Sequence, residues 1–227
     1  GLGAFFFWKS GGRTKRQMSS FLLTRGLWLI VLELTIMQLA YNFDAGSSYP
    51  IFLLVLWVLG ACMIALAALV WLPLQALLAL SVAAIVLHHV ADGINARTLG
   101  TWAPAWNLLH QVGAFPFAGR VFIAAYPLVP WVAVMALGFC LGPLLLERTP
   151  SRPRTLISSG AAMTIAFVLV RALNVYGDPA PWAAQSSTAL TMMSFLNTTK
   201  YPPSLLYLVM TLGPALLSPR GVVRGGP

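Results

Sequence analysis

Charge is what this sequence has least of. Lysine, arginine, aspartate and glutamate together make up 8% of the 227 residues, and only five of those residues are acids. A soluble domain carries about 25% charged residues, so a water-soluble core is excluded. Cysteine is almost as scarce: Cys62 and Cys140 both fall in apolar runs, which excludes a disulfide framework. They read as small buried hydrophobes. With three histidines and no metal-ligand spacing, no metal is expected. The net charge of +9 is not a nucleic-acid footprint, because the basic residues sit in short loops between apolar runs and form no stripe. No nucleic-acid partner is expected.

What is abundant is hydrophobicity, at 59% of the chain, arranged in repeated runs of roughly 20 residues. The pattern predicts an all-α, polytopic transmembrane helix bundle with the lipid bilayer as its first partner. Spans are expected at 21–40, 51–70, 74–92, 121–146, 155–175 and from near Pro203. That makes about six full spans, preceded by the tail of an earlier helix at residues 1–8. The last span offers only about 15 apolar residues, or roughly 22 Å of helix, against a hydrocarbon core of about 30 Å. Both ends therefore read as truncated, and residues 1–227 as one incomplete transmembrane domain.

Ten of the fourteen basic residues fall in one set of loops, from Lys9, Arg13, Lys15 and Arg16 through Arg148 to Arg224. Arg97, Arg120, Arg171 and Lys200 fall in the other. The positive-inside rule places the first set in the cytoplasm and the long loops 93–119 and 176–202 outside.

The stretch SFLNTTKYPPSLLYLVMTLGP (194–214) shows how a loop enters the membrane. Lys200 and Tyr201 suit the interface, and Pro202 and Pro203 suit the first turn of the following helix. Other polar residues gather at the same outer end: His88, His89, Asp92, Asn95, His110, Arg171, Asn174 and Asp178. His88 and Asp92 are four apart and share a helix face, so the carboxylate could orient the imidazole as a general base. The alternative is a polar helix end in the headgroup layer. Arg171, Asn174 and Asp178 repeat at three and four, which fits either an ion pair or a binding site. Glu33 lies near mid-membrane, facing a polar tunnel or serving as a hydrogen-bonded structural acid. Gly138 and Gly142 predict close helix packing, inside the bundle or at a seam between copies, which leaves a homo-oligomer open. Pro127 and Pro130 are expected to kink the fourth span.

Four blocks carry a family resemblance: FLLTRGLWLIVLELT (21–35), YPLVPWVAVMALGFCLG (126–142), RALNVYGDPAPW (171–182) and the 194–214 stretch. They resemble the bacterial DUF1624 membrane family, which is similar to the catalytic domain of heparan-alpha-glucosaminide N-acetyltransferase. The resemblance implies acyl transfer from cytoplasmic acetyl-CoA, as acyl donor, to an amino sugar or glycan at the outer face of a bacterial inner membrane. His88 and Asp92 would shape the catalytic acceptor side, and Arg171, Asn174, Asp178, Lys200 and Tyr201 would bind substrate or hold the outer loops. The family's acetyl-transfer histidine is expected ahead of the segment matching Gly1, and His89 stands where the family pattern has asparagine. Two other readings remain: a transporter or flippase for a polar or lipid-linked molecule, resting on Glu33, and a non-catalytic membrane remnant.

Overall fold

A computed structural model describes residues 1–43, 49–146 and 152–217. Asp44, the basic loop around Arg148, and Arg220 and Arg224 lie outside the described residues. The chain divides into two compact units, Gly1–Gly142 and Pro143–Pro227.

In the first unit, α1 (Leu2–Ser10) leads through a turn into α2 (Lys15–Asn42). Thr14 starts α2 with a capping box, its hydroxyl accepting from Gln17 N–H while the Gln17 side chain accepts from Thr14 N–H. Strand β1 (Ile51–Leu53) is followed by α3 (Val55–Leu69) and α4 (Leu74–Ala91). A short helix α5 (Ala103–Leu109), the strands β2 (Gly113–Phe117) and β3 (Arg120–Ala124), and α6 (Leu128–Leu146) complete the series. Helix α2 packs on α3, and α6 on both α3 and α4. Phe5, Met18, Leu22, Leu66, Leu77, Ala136 and Phe139 form their common core.

The second unit pairs α7 (Arg152–Leu173) with α9 (Leu205–Leu217), joined by a long connection holding α8 (Thr188–Leu196).

Among the described residues four helices are long and apolar enough to cross a membrane: α2, α4, α6 and the Arg154–Leu173 part of α7. Helices α3 and α9 are apolar but shorter. The expected set of about six full spans is thus four long helices and two short ones. The chain is an integral membrane protein, mostly helical but not wholly so.

The departures are local. The expected second span loses its first residues to β1, and the fourth loses its first residues to β3. The two pair in parallel, Leu53 opposite Ala124, with β2 antiparallel on the other side of β3. Backbone pairing claimed these apolar residues because Leu53, Phe115 and Ala124 bury one face of the sheet in a small core of their own. Pro127 and Pro130 do not kink α6. Pro127 precedes it and Pro130 lies in its first turn, where the missing N–H has no partner to lose. Pro202 and Pro203 likewise stand ahead of α9, with a cis Tyr201–Pro202 peptide.

Glycines set the closest helix contacts. A Cβ on Gly26 would meet the Gly60 carbonyl oxygen at 2.6 Å, and a Cβ on Gly160 the Gly213 carbonyl oxygen at 2.8 Å. Gly138 and Gly142 both lie against α1, facing Leu2 and the Phe5 ring.

Candidate functional site

Helix α4 tightens to a 3-10 turn at His88–Ala91. In a 3-10 turn residues three apart eclipse one another, and this changes the expected pairing. Asp92 does not orient His88, four residues back. Its Oδ2 takes the Nδ1 of His89, three back, at 2.6 Å, and its Oδ1 takes the Nε2 of His110 at 2.9 Å. His110 is the residue that ends α5, so one carboxylate ties the end of α4 to the end of the helix eighteen residues on. The Trp106 ring lies 4.9 Å from His110, and its indole N–H donates to the Ile94 carbonyl at 3.1 Å.

His88 has a different partner. Its Nδ1 stands 2.8 Å from the Ile85 carbonyl oxygen. A carbonyl can only accept, so Nδ1 carries the proton and Nε2 presents a lone pair. Nε2 is buried and has no hydrogen-bond partner. The ring lies against His89 at 4.0 Å and His110 at 6.3 Å between centroids. An unprotonated imidazole nitrogen held by a bond to its opposite nitrogen is the form a general base requires. Among the described residues no three His, Cys, Asp or Glu side chains are grouped to hold a metal ion.

Glu33 is buried beneath a π-type turn, Glu33–Met37, inside α2. Its Oε2 accepts from Leu56 N–H at 2.8 Å and Trp57 N–H at 3.1 Å. These are first-turn amides of α3, where unsatisfied N–H groups and the helix dipole favour an anion. Gln38 extends the fastening by bonding both N–H and C=O of Phe52 in β1. Oε2 is thus held as in a structural acid, while Oε1 is buried without a hydrogen-bond partner, so the geometry answers to both alternatives for Glu33.

In the second unit, Arg171 is buried and forks onto four backbone carbonyls: Phe195 at 2.9 Å, Ala180 at 2.9 Å, Ser194 at 3.2 Å and Asn197 at 2.7 Å. It is not paired with Asp178. Asn174 ends α7 in left-handed geometry, φ 56°, which asparagine tolerates. Its side chain bonds both N–H and C=O of Trp182. Asp178 accepts four hydrogen bonds, from Ala180 N–H, Thr199 N–H, the Thr199 hydroxyl and the Ser204 hydroxyl, at 2.7 to 2.9 Å. Ser204 in turn accepts from Tyr207 N–H and caps α9.

Lys200 and Tyr201 are exposed on this connection, the ammonium 5.1 Å from the phenol ring. The hydrogen bond to Tyr201 holds the Lys200 ammonium above its ordinary pKa. Sequence reasoning did not foresee the partners that complete these clusters, His110 for Asp92 and Thr199 with Ser204 for Asp178. All are distant in sequence and carry no local signal.

The fold and its polar ends define a polytopic helical membrane protein with a cluster of three histidines and an aspartate at the end of α4. Comparison adds the family: residues 5–177 match the model for heparan-alpha-glucosaminide N-acetyltransferase, catalytic, and the chain belongs to that family. The match covers the first two resembling blocks and part of the third, and the 194–214 stretch lies beyond it. No curated protein and no solved structure matches significantly. The family marks an N-acetyltransferase type of function.

Proposed function

We propose that this chain supplies the acceptor end of a transmembrane acetyltransferase, acting on an amino sugar or glycan at the outer face of a bacterial inner membrane. The family match supports the reaction type. The observation that carries the assignment to a residue is the His88 Nε2 lone pair, buried, unpartnered and fixed in its tautomer by the Ile85 carbonyl. In this reading Nε2 removes the proton from the acceptor ammonium, the freed amine attacks the acetyl carbonyl, the bond from that carbonyl to its donor breaks as the N–C bond forms, and the departing donor leaves with the second proton that the nitrogen sheds on becoming an amide. His89 and His110, tethered by Asp92, cover His88 and move aside to admit the acceptor.

Acetyl-CoA is the donor in this reading, supplying an activated thioester from the cytoplasm. Its phosphates call for a cationic seat. Arg171, buried and occupied by backbone carbonyls, does not provide it. Lys9, Arg13, Lys15 and Arg16, in the loop read as cytoplasmic, are the cations on the donor's side, and it is the acceptor end that is assigned to a residue here. Arg171, Asn174 and Asp178 hold the second unit's long connection, and the exposed Lys200 and Tyr201 offer a cation and a phenol to polar groups of the acceptor.

Replacing His88 with alanine in the native protein is expected to lower acetyl transfer by about 10²-fold or more, with membrane insertion retained. Radiolabelled acetyl transfer to a glucosamine acceptor in inverted and right-side-out vesicles reads both rate and sidedness. An unchanged rate removes His88 from the site. Transfer confined to the face opposite the long loops removes the outer placement.

A further inference from the structure

The connection between α7 and α9 contains no lysine, arginine, aspartate or glutamate from Pro179 to Thr199. Its helix α8 has no buried residue, and Leu190, Met192, Met193 and Leu196 are all exposed. Against this helix the Trp182 indole forms a cleft of about 360 Å³, lined by Trp182, Thr191, Met192, Phe195 and Leu196.

Three observations say what the cleft takes. First, its polar atoms are already satisfied from within. The Trp182 indole N–H donates to the Arg171 carbonyl at 2.8 Å, and the Thr191 hydroxyl donates to Ser187 O at 2.9 Å while accepting from Gln185 N–H at 2.9 Å. A ligand here meets hydrocarbon only. Second, the walls are held in place, with Trp182 edge-on to Phe195 at 5.5 Å and the Phe195 carbonyl bound by Arg171 at 2.9 Å. The cleft is preformed, as small-ligand sites are. Third, it is seated on the last turn of a membrane-crossing helix. Arg171 and Leu173 lie in the last turn of α7, whose Ile165, Val168, Leu169 and Leu173 are exposed. Helix α8 is bound to that turn through Ser194, Phe195 and Asn197. The cleft thus continues the exposed apolar surface of α7 at the end of that membrane-crossing helix.

We infer that the cleft beside α8 binds the hydrocarbon chain of a bilayer phospholipid, with α8 lying in the interfacial layer. An uncharged helix with exposed Leu and Met side chains at the end of a membrane-crossing helix is chemically matched to hydrocarbon, and no side chain from its own unit buries it.

The test is photo-crosslinking of the native protein in phosphatidylcholine vesicles doped with a phosphatidylcholine carrying a diazirine on its acyl chain. Peptide mapping should find adducts on Met192, Phe195 or Leu196, beside those on Leu169 and Leu173 that report ordinary lipid contact. Met192→Asp with Leu196→Asp should cut the 182–196 adducts at least about fivefold, because a carboxylate is excluded from hydrocarbon, and leave the Leu169 adducts unchanged as the control for insertion. If the double variant fails to insert, Leu196→Asn alone should give the same selective loss. Absence of adducts in residues 182–196 of the native protein, or a yield indifferent to the substitutions, overturns the inference and leaves the face to a protein partner.

Discussion

Asp92 and Asp178 are both carboxylates just past the end of an apolar helix, yet one accepts hydrogen bonds from two imidazoles and the other from four donors. Around Asp178 and Arg171 every bond goes to backbone or to a hydroxyl, and one of those hydroxyls, Ser204, itself caps α9. The cluster is saturated, and its chemistry is that of a fastener. Around Asp92 the groups are titratable, the carboxylate is 36% exposed, and the neighbouring His88 keeps a nitrogen without a partner. Buried polar groups left unsatisfied are costly, so they persist where something other than stability maintains them. The difference teaches that polar residues at the end of a membrane helix divide into those that hold the chain and those that remain able to react.

Substitutions can break this contrast. Arg171→Met should have the largest effect on stability, since it orphans four carbonyls and frees the connection that carries α8. A loss of about 3 kcal/mol or more is expected, read as a drop in thermal unfolding temperature in detergent. Arg171→Lys should not restore it, because an ammonium lacks the planar fork. Asp178→Asn keeps the shape but turns one acceptor into a donor against Thr199 and Ser204, at a cost of about 1–3 kcal/mol. Hydrogen exchange should then rise at the start of α9. If either variant is as stable as the native protein but inactive, the cluster is a binding site and the contrast fails.

Asp92→Asn should cost less, about 1 kcal/mol, and should loosen residues 93–109, seen as faster proteolysis of that segment. The smallest effect belongs to Tyr201→Phe. Removing the phenol hydroxyl lets the Lys200 pKa fall back towards its ordinary value. The sign follows from a folded pKa raised above the unfolded one: the contribution is complete below the ordinary lysine range and disappears as pH climbs through the raised value. A pH titration of the Lys200 ammonium by NMR should lose its upward displacement. An unmoved titration would show that the bond to Tyr201 is not its cause.

Apolar run length located α4 to within one residue and α7 to within three at either end, because a helix in lipid must satisfy its own backbone. The same signal failed at residues 51–53 and 120–124, where an apolar run is equally compatible with a strand. Those strands pair across seventy residues of chain, and no local pattern announces the partner. Pro127 and Pro130 misled for a related reason: a proline kinks a helix or begins one according to where the helix starts, and that start was hidden by β3. For two of the polar groups the spacing pointed to the wrong partner: Arg171 bonds backbone carbonyls and not Asp178. His88 and Asp92 were assigned to each other on α-helical spacing, and the 3-10 turn at His88 moved Asp92 to His89.

Strands β1 and β3 run side by side, and each continues within a few residues into a helix of the bundle, β1 into α3 and β3 into α6. Their register therefore works as a depth gauge for two helices at once. Sliding Ala124 past Leu53 by one residue would lift α6 relative to α3 by roughly 3.3 Å, one strand repeat, and reverse which face each strand residue presents. A single-residue deletion between Ala124 and Leu128 would be absorbed neither by the sheet nor by the helix. The few backbone hydrogen bonds of a small sheet thus fix the offset of α3 and α6 along their axes.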